Sequence, residues 1–286
     1  MRSQGFLMQT TLIRIVILVA VLSNLALAHA ASKAELWARW QKHDPANRKA
    51  IDHFAWDRFL KQYVVAPHPS GINRVRYQAV TREDLKSLKN YLQEMQNVAI
   101  SNYNRAEQKA YWINVYNAAT VDLIVVRFPL KSIRDINISP GLLARGPWGA
   151  KLFSVEGERL SLDDIEHRIL RPIWKDNRVH YALNCASLGC PNLQPAAFTA
   201  ENSETLLDRG AIDFINHPRG VTIQKGRLQV SSIYVWFQED FGGAAEELME
   251  HWQKYANPPL ADALEKYSGG LAHDYDWRLN GVEEKP

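Results

Sequence analysis

Ala110 to Arg127 is the stretch that most constrains this chain. It is apolar nearly all round, so a helix built from it has no face for water and must be wrapped by the rest of the protein. Asn104, with Glu107 three residues on, supplies a start signal, and Pro129 supplies a stop. Two amides interrupt the apolar surface. Asn114 and Asn117 lie three apart, on one face of the helix. A buried amide without partners costs about 1–3 kcal/mol, so each must pin a neighbouring backbone segment or line a pocket.

Around that helix, Lys33 to His43 and Asp52 to Val65 read as two short aromatic-rich helices, with a loop over 66–71. Thr81 and Asp84 form a capping box ahead of the stripe Leu85, Leu88, Leu92 and Met95. Ser161 and Asp164 cap a further helix, Leu162 to Leu170, which Pro172 ends. Val179 to Leu183 reads as a short buried strand, and Asn202 to Asn216 as a helix. Val221 to Ile223 and Arg227 to Val230 flank Gln224-Lys225-Gly226 and predict a hairpin. The apolar run Ile233 to Phe237, followed by Asp240-Phe241-Gly242-Gly243, reads as a strand or turn into a helix. Ala244 to Ala256, stopped before Pro258-Pro259, and Leu260 to Tyr267 are the last two helices. The pattern is a helix-rich α+β domain on a small β-sheet. It is a single domain over 31–286, with 31–80 as a helical extension and 81–280 as the core. At 46% hydrophobic and 10% aromatic residues, the chain has the apolar surface to order itself, which excludes intrinsic disorder.

The first thirty residues read as an address. Arg2 and Arg14 precede the unbroken apolar run Ile15 to Leu22, and Ala28-His29-Ala30 is an A-x-A cleavage site. Met8 offers an alternative start. The apolar run falls far below the roughly 20 residues a spanning helix needs, so no membrane span is expected after cleavage. The expected location is outside the cytoplasm, in a bacterial periplasm. The formal charge of +3 drops to +1 once Arg2 and Arg14 are removed. Near-neutrality without a basic tract gives no reason to expect nucleic acid as partner.

The densest polar cluster runs from Arg178 to Pro191. It holds His180, Asn184, Ser187 and the protein's two cysteines, Cys185 and Cys190. In an oxidising compartment a disulfide between them is expected, closing a small loop worth about 2 kcal/mol. Alternatively Cys185 is a free nucleophile, which needs a base or cation beside it. On a continuous strand His180 shares a face with Ala182 and Asn184, not with Cys185, so a dyad requires a bend or the approach of His167. Zinc on His180, Cys185 and Cys190 fits neither usual spacing, and no metal or cofactor is expected. Glu166, His167 and Arg171 close one helix, where cations are ordinary dipole partners. Asp240 either caps the helix that follows or orients a histidine. Asp276 to Asn280 is an aromatic and polar strap.

These phrases together resemble the domain-of-unknown-function family numbered 547. The matching stretches are Ala110 to Ala118, Leu162 to His167 with Leu170-Arg171, Val179 to Cys185 with Cys190-Pro191, Ser232 to Trp236 with Asp240-Phe241, and Tyr275 to Asn280. They follow the family's order over nearly the whole of 31–286. The resemblance implies a compact α+β domain, often exported in bacteria, with a distant relation to papain- or transglutaminase-like thiol enzymes. Transglutaminase-like enzymes place the cysteine at the start of a buried helix, ahead of the histidine. Here that helix offers Asn114, and Cys185 follows His180.

Two readings of function stand side by side. In one, the protein is a thiol hydrolase or acyl transferase for amide bonds. Cys185 is the nucleophile, His180 or His167 the base, Asp240 or Asn114 its orienting group, and the N–H groups of the Ala186–Gly189 turn hold the oxyanion. In the other, it is a non-catalytic envelope module whose Cys185–Cys190 bridge staples a loop facing a small peptide or envelope-protein partner. Asn117, Glu166, His167, Arg171, Asn184, Ser187 and Trp236 are the expected lining residues in either case.

Overall fold

Thr81 and Asn104 start the two longest helices as their spacing requires. Helix α1 spans Phe54–Tyr63, α2 Arg82–Gln96 and α3 Arg105–Arg127. The Thr81 hydroxyl accepts the Asp84 amide, and the Asn104 side chain accepts those of Ala106 and Glu107. Asn104 also donates to the Asn47 carbonyl, tying the preceding loop to the helix start. Asn104→Ala should therefore lower stability by about 1 kcal/mol, read as a fall in melting temperature. Most of α3 is buried, from Glu107 to Val121, and α2 packs along it.

The computed structural model describes residues 33–141 and 144–282, and the segment 1–30 read as a signal lies outside them. Residues from Lys33 onward form one compact unit. Among the described residues no helix is long and apolar enough to cross a membrane.

Three local readings need correction. The segment 33–43 is mostly irregular, with a single 3₁₀ turn at Ala38–Gln41. It is held from outside, because the Glu35 and Trp37 amides donate to the carbonyls of His167 and Arg168. Pro172, lacking an N–H, can donate to neither of these carbonyls. The helix that Ser161 and Asp164 begin therefore runs through Pro172. It is π-helical over Asp164–Leu170 and becomes α4 at Arg171–Trp174. Val179 to Leu183 is not a strand. Asp176 accepts the Arg178 amide and starts a turn that becomes α5, Val179–Ala182.

Helix α6 spans Ser203–Ile215. Ser231 caps α7, Ser232–Trp236, where a strand or turn was expected. Helices α8, Ala245–Tyr255, and α9, Pro258–Glu265, complete the set. The two prolines begin α9 rather than merely ending α8, because the Asn257 side chain caps it.

The strands are few and short. β1 (Val64–Val65) pairs with β2 (Arg74–Val75), and β3 (Phe153–Val155) with β4 (Glu158–Leu160). The predicted hairpin is present as β5 (Val221–Gln224) and β6 (Arg227–Ser231), with Val221 opposite Val230. β7 (Leu271–Asp274) joins β6 in parallel. The result is helix-rich α+β.

Two apolar clusters share the interior. One surrounds α3, and the other gathers Tyr181, Phe214, Val230, Tyr234 and Trp252. Helix α5 lies across their junction, since Val179 belongs to the first and Tyr181 to the second. The cysteine-bearing turn follows directly.

Candidate functional site at the Cys185–Cys190 turn

The two amides of α3 are backbone clamps. Asn117 donates to the Ala182 carbonyl and accepts the Asn184 amide, both at 2.8 Å, so it holds the peptides on either side of Leu183. Asn114 does the same for Phe198, at 2.7 and 3.0 Å. Asn114 thus orients no imidazole. Asn184 is also spent on structure: it donates to the Pro191 carbonyl and accepts the Ala186 amide.

These bonds hold an unusual backbone. Ala186, directly after Cys185, sits at φ 58°. A side-chain-bearing residue there costs about 1–2 kcal/mol, and such strain gathers at functional sites. The C-terminal strap lies against the turn. Leu188 and Gly189 donate to the carbonyls of Arg278 and Asp276, and Asn280 donates to that of Ala186. Gly189 permits this approach, since a Cβ there would come within 2.8 Å of the Asp276 nitrogen. The amides of Ala186, Leu188 and Gly189 are consequently occupied. Three of the four amides expected to hold an oxyanion are thus spent on structure.

The expected disulfide is not formed: both cysteines are free thiols, with their sulfurs 3.0 Å apart. Cys185 is half-buried and Cys190 buried. Around the Cys185 sulfur stand the hydroxyls of Ser187 at 3.3 Å and Tyr275 at 3.0 Å. The Cys185 amide donates to the Cys190 sulfur. The hydrogen bond shared with Cys190 holds the Cys185 thiol below its ordinary value against the effect of burial, with Ser187 and Tyr275 adding to it. Burial pushes Cys190 well up, and the bond to Cys185 adds to that. Glu166 opposes ionisation of Cys185. The half-buried rings of Trp236, Tyr275 and Trp277 touch one another, with centroids 4.6–5.8 Å apart, and form an apolar lip beside the thiol.

A separate buried network lies alongside. His180 is tucked under Phe237, ring to ring at 4.4 Å, and its Nε2 meets the Asp240 carboxylate at 2.6 Å. Arg171 donates to the same carboxylate oxygen at 2.5 Å and, from its Nη1, to Nδ1 of His167 at 2.9 Å. That bond requires an unprotonated Nδ1, so His167 is neutral, and burial lowers its pKa accordingly. Asp240 therefore orients a histidine and caps nothing. Glu166 accepts from Tyr116 at 3.1 Å and lies 3.9 Å from His180 and 4.0 Å from His167. Burial, with the carboxylates of Glu166 and Asp164, raises Asp163 to about 7.

The residues singled out from the sequence thus fall into two groups. Cys185, Cys190 and Ser187 form one, with Trp236 packed on Tyr275 beside them; Glu166, His167, Arg171, His180 and Asp240 form the other. No described imidazole hydrogen-bonds the Cys185 sulfur, so neither His180 nor His167 forms a dyad with it. Among the described residues no group of three or more His, Cys, Asp or Glu side chains could hold a metal ion. A hollow of about 520 Å³ lies elsewhere, lined by Val75, Tyr77, Phe128, Pro129 and Val282. Sequence reasoning passed over Tyr116, Asp163 and Arg219. Tyr275 was named only as the first residue of the stretch Tyr275 to Asn280, with no role at the site.

No curated protein and no solved structure matches the chain. The family resemblance read from the sequence over nearly the whole of 31–286 is narrower than it looked, since Ser232 to Trp236, Asp240-Phe241 and Tyr275 to Asn280 fall outside the match. Residues 100–215, which carry α3, the π-helical segment and the cysteine turn, match the family described as protein of unknown function DUF547.

Proposed function

We propose that the protein acts, in the oxidising compartment to which its first thirty residues would send it, as a thiol–disulfide exchange factor for cystine-containing peptides or envelope proteins. The observation that carries this reading is the asymmetry of the pair: a half-buried thiol with three hydrogen-bonding neighbours, and a buried thiol facing it at 3.0 Å. Ionised Cys185 attacks one sulfur of a substrate disulfide and expels the other as a thiolate, which takes up a proton. Cys190, losing its proton, then attacks the Cys185 sulfur of the mixed disulfide. The Cys185–Cys190 bridge forms and the second substrate thiolate leaves and is protonated. Two electrons and two protons pass from protein to substrate, and the bridge expected from the sequence is the oxidised form.

Full-length protein mixed with oxidised glutathione tests this. Wild type should release two thiols per chain and carry no lasting adduct. Cys190→Ser should accumulate glutathione on Cys185, seen by mass spectrometry, and Cys185→Ser should react roughly tenfold more slowly or worse. Equal behaviour of the two serine variants would overturn the proposal.

The His180–Asp240 contact favours a second reading, acyl transfer by Cys185 with His180 as base and Asp240 orienting it, which requires the imidazole and the thiol to come together. Cys190→Ser separates the two readings, because acyl transfer would survive it and exchange would not.

A further inference from the structure

Arg219 lies between α6 and β5, in a loop the sequence did not mark. Its guanidinium donates to the Leu188 carbonyl at 3.2 Å and to the Asn192 side-chain oxygen at 2.7 Å. It therefore spans the two flanks of Cys190. It also lies over the Phe214 ring, 5.4 Å from its centroid. Its Nε is buried and has no hydrogen-bond partner.

The charge has no counter-ion. Among the described residues no carboxylate comes within salt-bridge distance of Arg219, and Asp213, six positions before it, is paired with Arg209 at 2.8 Å. Arg74, 8% exposed on β2, has no carboxylate at salt-bridge distance among the described residues, although Asp276 feels its charge, and it acts on Arg219 as a like charge. Neutral acceptors satisfy two N–H donors but leave the charge of this half-buried guanidinium uncompensated, and removing a charge from water without a counter-ion is expensive. Such an arrangement persists where an anion forms or binds. The ionisable groups that act on Arg219 most strongly are Cys190 and Tyr275.

Tyr275 of the strap touches the Cys185 sulfur, and the other ionisable groups whose charge reaches the thiol pair are Tyr77 from the segment after β2, Tyr116 from α3, Glu166 from the π-helical segment and Arg219. The three phenols are neutral near pH 7, and Glu166 is an acid. Arg219 supplies the positive charge.

We propose that Arg219 is the counter-charge of the thiolate formed at the Cys185–Cys190 pair, a positioning residue that lets the buried Cys190 ionise as it attacks the mixed disulfide. This rests on the exchange reading for its purpose, but it is measurable without any substrate.

The experiment is an ultraviolet titration of the Cys190 thiolate in the full chain carrying Cys185→Ser, with and without Arg219→Gln. The expected result is a midpoint about one pH unit higher in the Gln variant, which is a roughly tenfold smaller thiolate fraction at a given pH below it. Arg219→Lys keeps the charge while losing the forked contacts to Leu188 and Asn192, and its midpoint should stay near that of the Arg219 protein. An unchanged midpoint in Arg219→Gln, whatever happens to its melting temperature, makes the residue purely structural and overturns the inference. Should the Gln variant not fold, a full-unit rise in Arg219→Lys overturns it equally. Failure of the exchange reading shows in the glutathione reaction, and failure of the Arg219 inference in the titration, so the two are distinguishable.

Discussion

Asn117→Leu is expected to cost the folded state about 2–6 kcal/mol, measured as the loss of unfolding free energy in denaturant. Leucine nearly matches the shape of asparagine but makes neither of its hydrogen bonds. The Ala182 carbonyl and the Asn184 amide would then be orphaned in a site where Asn117 is 3% exposed. Each buried, unsatisfied backbone group costs about 1–3 kcal/mol. Asn114→Leu orphans two groups of Phe198 and should cost a similar amount. The two variants should nevertheless differ in chemistry. Asn117 fixes the two peptides that lead into Asn184, the residue before Cys185, so its loss should change the alkylation rate of that thiol, whereas Asn114→Leu should leave the rate unchanged. A loss below about 1 kcal/mol for Asn117→Leu would mean that the clamp is dispensable.

What the sequence revealed follows the range of the interactions concerned. Thr81 and Asn104 were readable because a cap is made within three residues of itself. The burial of α3 was readable because its apolar surface closes on itself over five turns. The π-helical stretch was not. Pro172 argues locally for a stop, and only the Glu35 and Trp37 amides, well over a hundred residues earlier, supply the donors that let the helix continue.

Val179 to Leu183 misled for a related reason. A buried run of five residues has no period long enough to separate a strand from a helical turn. The side chain of Asp176, just before the run, decided the matter. The dyad of His180 with Cys185, for which the sequence required a bend, does not form, and strand alternation is not the reason: His180 is drawn away by Asp240, sixty positions later, and by the Phe237 ring. Arg219 was invisible because Pro218 and Gly220 read as a loop, and no local pattern announces a half-buried cation without a counter-ion.

The two polar groups therefore play different physical parts. Around the sulfurs, neutral donors and one guanidinium accommodate a charge that comes and goes. In the His180 network Arg171 and Asp240 pair their charges, and that pairing sets the acid response of the fold. Asp240→Ala should cost about 3–5 kcal/mol near neutral pH, because it leaves the buried Arg171 and His180 facing each other without the anion both now bind. The pH dependence gives the sharper test. Burial pushes the Asp240 carboxyl up, but hydrogen bonds from His180 and Arg171 outweigh it and hold the group at about 2. A carboxyl held below its unfolded value adds stability that is fully present above about pH 4 and disappears as pH falls through 2. Taken over that interval, its share is about 2 kcal/mol. His53 and His251, each lowered by burial to about 4, act in a different window. They withdraw stability as pH falls from about 6.5 to 4, and they do so in wild type and variant alike. The difference in unfolding free energy between wild type and Asp240→Ala should therefore narrow by about 2 kcal/mol between about pH 4 and pH 2. A difference that stays constant over that interval would contradict the assignment of Asp240 as the anion of this network.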